Sequence, residues 1–171
     1  MSTFRPRRSV LYMPSSNSRA LEKAKTIPCD GLILDLEDAV APDSKPAARD
    51  AACAAVQSGE YGQRELTIRI NGADTEWHEA DMAAACGAGP DAIVVPKVDS
   101  ADAVRALVAA MERHGAPERT TLWAMVETPV AMLDARSIAQ SEARVRAAEA
   151  ALEQMVPMLE KAHADEDYAL A

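Results

Sequence analysis

The chain has 171 residues, 49% of them hydrophobic and 26% charged, with a formal net charge of -9. That length and balance suit one soluble globular domain, and the acidity excludes a general nucleic-acid or membrane-surface role because phosphate backbones and anionic lipids would be repelled. Cys29, Cys53 and Cys86 stand far apart without a CxxC pair, which excludes a disulfide framework or a cysteine zinc site and predicts reduced, packed thiols.

From the N-terminus, the basic stretch Met1 to Arg8 precedes an apolar run that ends at Pro14, too short for a signal sequence. No segment reaches the roughly 20 apolar residues of a membrane span. A cytoplasmic location is therefore expected. Ser9 to Met13 reads as a first strand, and Ser15-Ser16-Asn17-Ser18 supplies caps for a helix over Arg19 to Lys25. After the turn Cys29-Asp30-Gly31, Leu32 to Leu36 is an apolar run broken by one Asp, the pattern of a parallel strand covered on both faces. A second helix is expected from Ser44-Lys45-Pro46 to Gln57, a third strand over Glu65 to Ile70, and a third helix over Asp74 to Cys86. Ile93 to Val98 is the fourth strand. The fourth helix, capped by Asp99 or Ser100, carries Val104, Leu107, Val108 and Met111 at helical spacing and ends at Gly115. Thr121 to Val126 is the fifth strand, and Pro129 opens a fifth helix toward Ala139.

Five strand-helix units in a row predict a parallel α/β fold with right-handed crossovers. Strands two to five each end in charge, at Asp35, Glu37 and Asp38, at Arg69, at Lys97 and at Glu127. Ligands bind at that end of parallel barrels and sheets, so these residues describe an active-site rim and favour a TIM-type barrel over a doubly wound sheet. The loop Pro14-Ser15-Ser16-Asn17 is not GxGxxG, and no GxxxxGK[ST] occurs, which removes the common nucleotide readings. Lys97 reads either as an electrostatic group or as a buried Schiff-base nucleophile. His78, His114 and His163 have no metal-ligand spacing and are expected at the surface.

Ser9-Val10-Leu11-Tyr12-Met13-Pro14-Ser15-Ser16-Asn17-Ser18-Arg19, Leu34-Asp35-Leu36-Glu37-Asp38-Ala39-Val40, Arg69-Ile70-Asn71, Val95-Pro96-Lys97 and Glu127-Thr128-Pro129 together resemble the CoA-ester lyases of the HpcH/HpaI aldolase superfamily. That group includes the citrate lyase beta subunit and malyl-CoA lyase. The resemblance covers about residues 7 to 140. It implies a Mg²⁺-dependent TIM barrel that cleaves or forms a carbon-carbon bond between an acyl-CoA and a 2-oxo acid. On the matching positions, Glu127 inherits the metal, Arg69 the oxo-acid and the enolate oxygen, and Glu37 and Asp38 a supporting catalytic part. Lys97 inherits an electrostatic part in substrate binding. Independently of the name, retro-aldol cleavage leaves an oxygen anion that a hard cation and a guanidinium stabilise where the charge develops. The phosphates of CoA would favour the helix start after Pro14, with Arg19, Lys23 or Lys25 nearby.

The family's second metal carboxylate, an Asp in a Gly-x-x-Asp-Leu setting on strand six, has no counterpart in this sequence. Val145, Ala148, Leu152, Met155 and Leu159 instead recur at three- and four-residue steps, predicting an amphipathic helix interrupted at Pro157. The expected organisation is a partial (β/α) barrel over 1–140 with a helical tail over 141–171. Five strands leave two open edges, so a homo-oligomer or an edge covered by the tail is expected. The functional expectation is a citryl-CoA or malyl-CoA type lyase; the alternative is an impaired relative that keeps weak CoA or anion binding.

Overall fold

The computed structural model describes residues 7–142 and Val145. Its strands are β1 (Val10–Pro14), β2 (Gly31–Asp35), β3 (Glu65–Arg69), β4 (Ala92–Val95) and β5 (Thr121–Ala124). They form one sheet in the order β1-β2-β3-β4-β5, with every pairing parallel. Each crossover thus moves one strand further in the same direction. A doubly wound sheet reverses at a switch point, whereas this succession is the winding of a barrel.

The helices are α1 (Ser18–Ala24), α2 (Lys45–Ser58), α3 (His78–Ala88), α4 (Ala101–Arg113), α5 (Pro129–Leu133) and α6 (Ala135–Gln140), with a 3-10 turn at Pro42–Ser44. Their starts follow from local chemistry. Asn17 accepts from the Ala20 N–H, Ser100 from Ala103 and Thr128 from Ala131, each satisfying a donor that the first turn leaves open. α3 ends at Gly89, where φ is 66° and an added Cβ would meet Pro117 and Arg119 at 3.1 Å, so both conformation and space call for glycine.

Alternate strand residues serve two faces. Leu32, Leu34, Ile68, Ile93, Val95 and Leu122 pack with Ala48, Ala52, Met82, Val104 and Met111 into the main core. Full burial of each such Leu or Ile stabilises by about 1.5–3 kcal/mol. Ile33, Ala92, Val94 and Trp123 form a smaller cluster with Val10 and Met125. Arg7 closes over that second cluster: it pairs with both oxygens of Glu65 at 2.5 and 2.7 Å and stacks 4.9 Å from the Trp123 ring.

The sequence reading places the five β/α units correctly and differs at their ends. β4 stops at Val95 because Pro96 has no N–H to donate and Lys97 turns to φ 54°. β5 stops at Ala124. α3 begins at His78, since Thr75 is drawn into a turn on the Gly72 carbonyl. The fifth helix is two short ones, broken at Asp134, whose N–H is shared by the Val130 and Ala131 carbonyls. Val145, expected on a tail helix, is instead a parallel bridge partner of Leu122 in β5 and is buried, so the chain returns to the sheet edge after α6. The remainder of the predicted tail helix, with Pro157, lies outside the described residues.

Candidate active site

The C-terminal ends of β2 and β3 are adjacent, with Asp35 in register with Arg69. Asp35 is fully buried, and its carboxylate is a chelating acceptor: Arg69 donates Nε–H to Oδ1 and one amino N–H to Oδ2, both at 2.7 Å. The Glu37 and Ala39 amides donate to the same two oxygens at 2.9 and 3.1 Å. One carboxylate therefore fixes the guanidinium and folds the loop after β2. Arg69 reaches the Glu37 carboxylate at 2.9 Å through its other amino group and lies 4.8 Å over the Tyr12 ring. A guanidinium has five N–H donors, and among the described residues these contacts engage three.

Asp38 stands apart, 3.9 Å from Arg69 with its side chain largely in solvent. On the β4–β5 side, Lys97 and Glu127 are both exposed. The Lys97 N–H donates to Glu127 Oε1 at 2.9 Å, and Oε2 has no hydrogen bond among the described residues. Of the two readings of Lys97, the buried one does not hold: Pro96 and the left-handed turn lift it out of the sheet.

Charge balance separates the two inner carboxyls. Burial pushes the Asp35 carboxyl up, but the Arg69 hydrogen bonds and the loop amides outweigh it and hold it below its ordinary value. Burial also pushes the Glu37 carboxyl up; Arg69 opposes this, Asp38 and Glu127 reinforce it, and the net direction is upward. For Arg69, burial works against the charge, yet Asp35 and Glu37 hold the guanidinium above its usual range. Burial raises the Tyr12 phenol as well.

The rim thus places four carboxylates, Asp35, Glu37, Asp38 and Glu127, against two cations, Arg69 and Lys97. Such an excess of hard oxygen donors suits a divalent cation, and the free Glu127 oxygen fits one ligand position of Mg²⁺. Among the described residues, no group of three His, Cys, Asp or Glu side chains is arranged to hold a metal ion.

Arg19 is exposed on α1 and makes no ion pair among the described residues, whereas Lys25 is engaged by Glu22 and Glu60 at 2.5 and 2.6 Å. Those hydrogen bonds, Glu22 first, raise the Lys25 pKa and neutralise it as an anion receptor. A cavity of about 530 Å³ opens between α3 and α4, lined in part by His78, Lys97, Leu107 and Arg113 but not by Arg69 or Glu37. His78 is half-buried rather than at the surface, its Nδ1 2.8 Å from the Asn71 carbonyl. His114 pairs with Glu79 at 2.8 Å, and His163 lies outside the described residues. None of the three cysteines is in a disulfide, and Cys86 is buried.

Lys45 and Asn71 are site residues to which sequence reasoning gives no role, and it places Asp35 on the rim without its partner. The signal was present: a lone Asp inside Leu32 to Leu36 must find a buried partner, and the only strand-end cation in register is Arg69.

A sequence profile for HpcH/HpaI aldolase/citrate lyase matches residues 8–165. The chain belongs to that family. It is 47% identical over 134 residues to a (3S)-malyl-CoA thioesterase of Cereibacter sphaeroides, covering 78% of this chain and 45% of the relative. It is 34% identical over 150 residues to the citrate lyase subunit beta of Leuconostoc mesenteroides, covering 85% and 50%. The CitE protein of Mycobacterium tuberculosis, crystallised with magnesium, acetoacetate and coenzyme A, superposes with a TM-score of 0.58 at 30% identity, over 78% of this chain and 44% of that one. The chain spans about half the length of the curated relatives it matches. Among the described residues, no helix is long and apolar enough to cross a membrane.

Proposed function

We propose that this site acts on the CoA ester of a small dicarboxylic or tricarboxylic acid, breaking or forming the carbon-carbon bond that joins an acyl-CoA to a 2-oxo acid. The observation that carries the reading is Arg69, clamped on Asp35 and paired with Glu37 at the strand ends. The magnesium, acetoacetate and coenzyme A bound by the structural relative support it.

In this reading, Arg69 receives the oxo-acid and stabilises oxygen charge as it develops in cleavage. Its guanidinium is held in place beforehand by Asp35, so little reorganisation is needed at the moment of reaction. Glu37, pushed upward by burial, holds a proton on its carboxyl more readily than an ordinary glutamate, and Asp38 adds to the field around Arg69. Bound Mg²⁺ would supply Lewis-acid stabilisation at the same oxygens. Glu127 is the residue that would hold it, and a second carboxylate from another copy in a homo-oligomer completes the proposal. Arg19 and Lys23 are the exposed cations of α1 suited to the phosphates of CoA, and Lys97 steadies the acid's carboxylate.

A second reading is thioester hydrolysis, favoured by the 47% identity to a malyl-CoA thioesterase. Malyl-CoA separates the two. Cleavage yields acetyl-CoA and glyoxylate, whereas hydrolysis consumes water and yields malate and free CoA thiol. The test follows 2-oxo acid and thiol together, glyoxylate from malyl-CoA and oxaloacetate from citryl-CoA as the second substrate, with EDTA and Glu127→Gln as controls. Glyoxylate without thiol establishes the lyase, and thiol with malate establishes the thioesterase. Neither product from folded protein overturns both and leaves an impaired relative that keeps CoA or anion binding.

A further inference from the structure

Lys45, the first residue of α2, is 5% exposed, and all three of its ammonium donors are engaged. They reach the Leu36 carbonyl at 2.8 Å, the Glu37 carbonyl at 3.0 Å and Asn71 Oδ1 at 2.7 Å, while the Trp77 ring covers the ammonium at 4.9 Å. Two of these acceptors belong to the loop leaving β2, and the third lies two residues beyond Arg69 on the loop leaving β3. Asn71 is itself held: its side-chain NH₂ donates to the Leu36 carbonyl at 3.0 Å and to Asp81 at 2.6 Å, and Asp81 pairs with Arg49 at 2.6 Å. Burying an ammonium is costly, and among the described residues no carboxylate pairs with it. A residue present only for packing would not need the charge.

We propose that Lys45 is a positioning residue of this site: it fixes the Glu37 backbone from the carbonyl side and ties it to the β3 loop, so that the Glu37 carboxylate meets Arg69 in one arrangement. Asp35 fixes the same residue from the other side, through the Glu37 N–H at 2.9 Å. Glu37 is thus held at both its amide and its carbonyl, and its side chain has a single direction to take toward the guanidinium. The inference deepens the lyase reading and rests on it for its catalytic meaning; the placement of Glu37 is measurable without turnover.

The experiment titrates the Glu37 side-chain carboxyl by carbon NMR, its resonance assigned from its loss in Glu37→Gln, in the wild-type chain and in Lys45→Met. The expected result is a Glu37 midpoint above the usual glutamate range in the wild type and a displaced midpoint in folded Lys45→Met, since the burial that raises it and the Arg69 contact that lowers it both depend on where the carboxyl sits. An unmoved midpoint in folded Lys45→Met overturns the proposal. If Lys45→Met does not fold, wild-type protein decides: slowly exchanging Lys45 ammonium protons, with couplings across hydrogen bonds to the Leu36 and Glu37 carbonyl carbons, uphold the assignment, and exchange as fast as an exposed lysine overturns it. Where malyl-CoA is turned over, Lys45→Met lowers kcat by about 10²-fold, the order expected for a misplacement near 1 Å, with KM little changed. Absence of wild-type turnover removes the lyase reading and leaves the titration result standing.

Discussion

The two halves of the rim are built on opposite plans. Where β2 and β3 end, Asp35, Arg69, Glu37, Lys45 and Asn71 are buried and joined by hydrogen bonds through both backbone and side chains. Where β4 and β5 end, Lys97 and Glu127 are exposed and joined by one backbone-to-carboxylate bond. The contrast separates two tasks. A group that must meet developing charge gains from being fixed beforehand, whereas a carboxylate that must exchange waters with a hydrated cation gains from standing in solvent.

The sharpest way to break the contrast is Asp35→Ala. It leaves a buried guanidinium without its chelating partner and two loop amides without acceptors, and breaking a buried ion pair from one side costs about 3–5 kcal/mol. Denaturant unfolding should show that loss at neutral pH. Its pH dependence follows from the sign of the shift. The Asp35 carboxyl is held below its unfolded value, so its contribution is fully present above the unfolded pKa of about 3.9 and disappears as pH falls through the lower, folded value. Wild type and Asp35→Ala should therefore converge in stability in strong acid.

That result also measures what the sequence made legible. Strand-helix order, the parallel sheet and the identity of the charged tips follow from hydrophobic runs and turn signals, which are local. The Asp35–Arg69 clamp is not local: it depends on register across 34 positions of chain, and only the pairing of β2 with β3 brings the two side chains together. Lys45 hid for a related reason. A lysine before a proline at a helix start reads as a solvent-facing first turn, and the loops that bury it arrive from two other elements. At Lys97 it was the strand end that local signals misplaced, because a single left-handed residue turns it out into solvent.

Glu37→Gln sharpens the comparison within the buried half. It keeps an oxygen for Arg69 and removes a charge that burial disfavours, so the sign opposes that of Asp35→Ala. A carboxyl whose folded pKa lies above its unfolded one costs stability once ionised in both states. That cost is relieved as pH falls from the folded value through the unfolded one. Unfolding at neutral pH should show Glu37→Gln more stable than wild type, by less than Asp35→Ala loses, with the gain gone in mild acid. Equal stability at all pH values would show that Arg69 already satisfies the charge.

On the open half, Lys97→Gly tests whether the left-handed turn is stored strain. The left-handed region costs a residue with a Cβ about 1–2 kcal/mol, and glycine returns roughly 0.5–1 kcal/mol of that as unfolded-chain entropy. A net gain of at most about 1 kcal/mol is expected, read as a rise in unfolding midpoint with unchanged denaturant slope. The Lys97 N–H that meets Glu127 survives the change, so magnesium response should persist while affinity for the acid substrate falls.

Glu127→Gln is the smallest perturbation of the fold and the most specific test of the division between the halves. The side chain is exposed and its bonded oxygen is replaced by a neutral acceptor, so stability in EDTA should stay within about 0.5 kcal/mol of wild type. A cation that binds the folded chain alone stabilises it by RT ln(1 + [L]/Kd), and wild type should therefore melt higher with increasing Mg²⁺. In Glu127→Gln that rise should vanish, and the Glu37 midpoint should fall somewhat, because the Glu127 charge that reinforces its upward shift is gone. If the magnesium response survived, the open carboxylate would be ruled out as the metal's anchor, and attention would pass to the acidic pair beside Arg69.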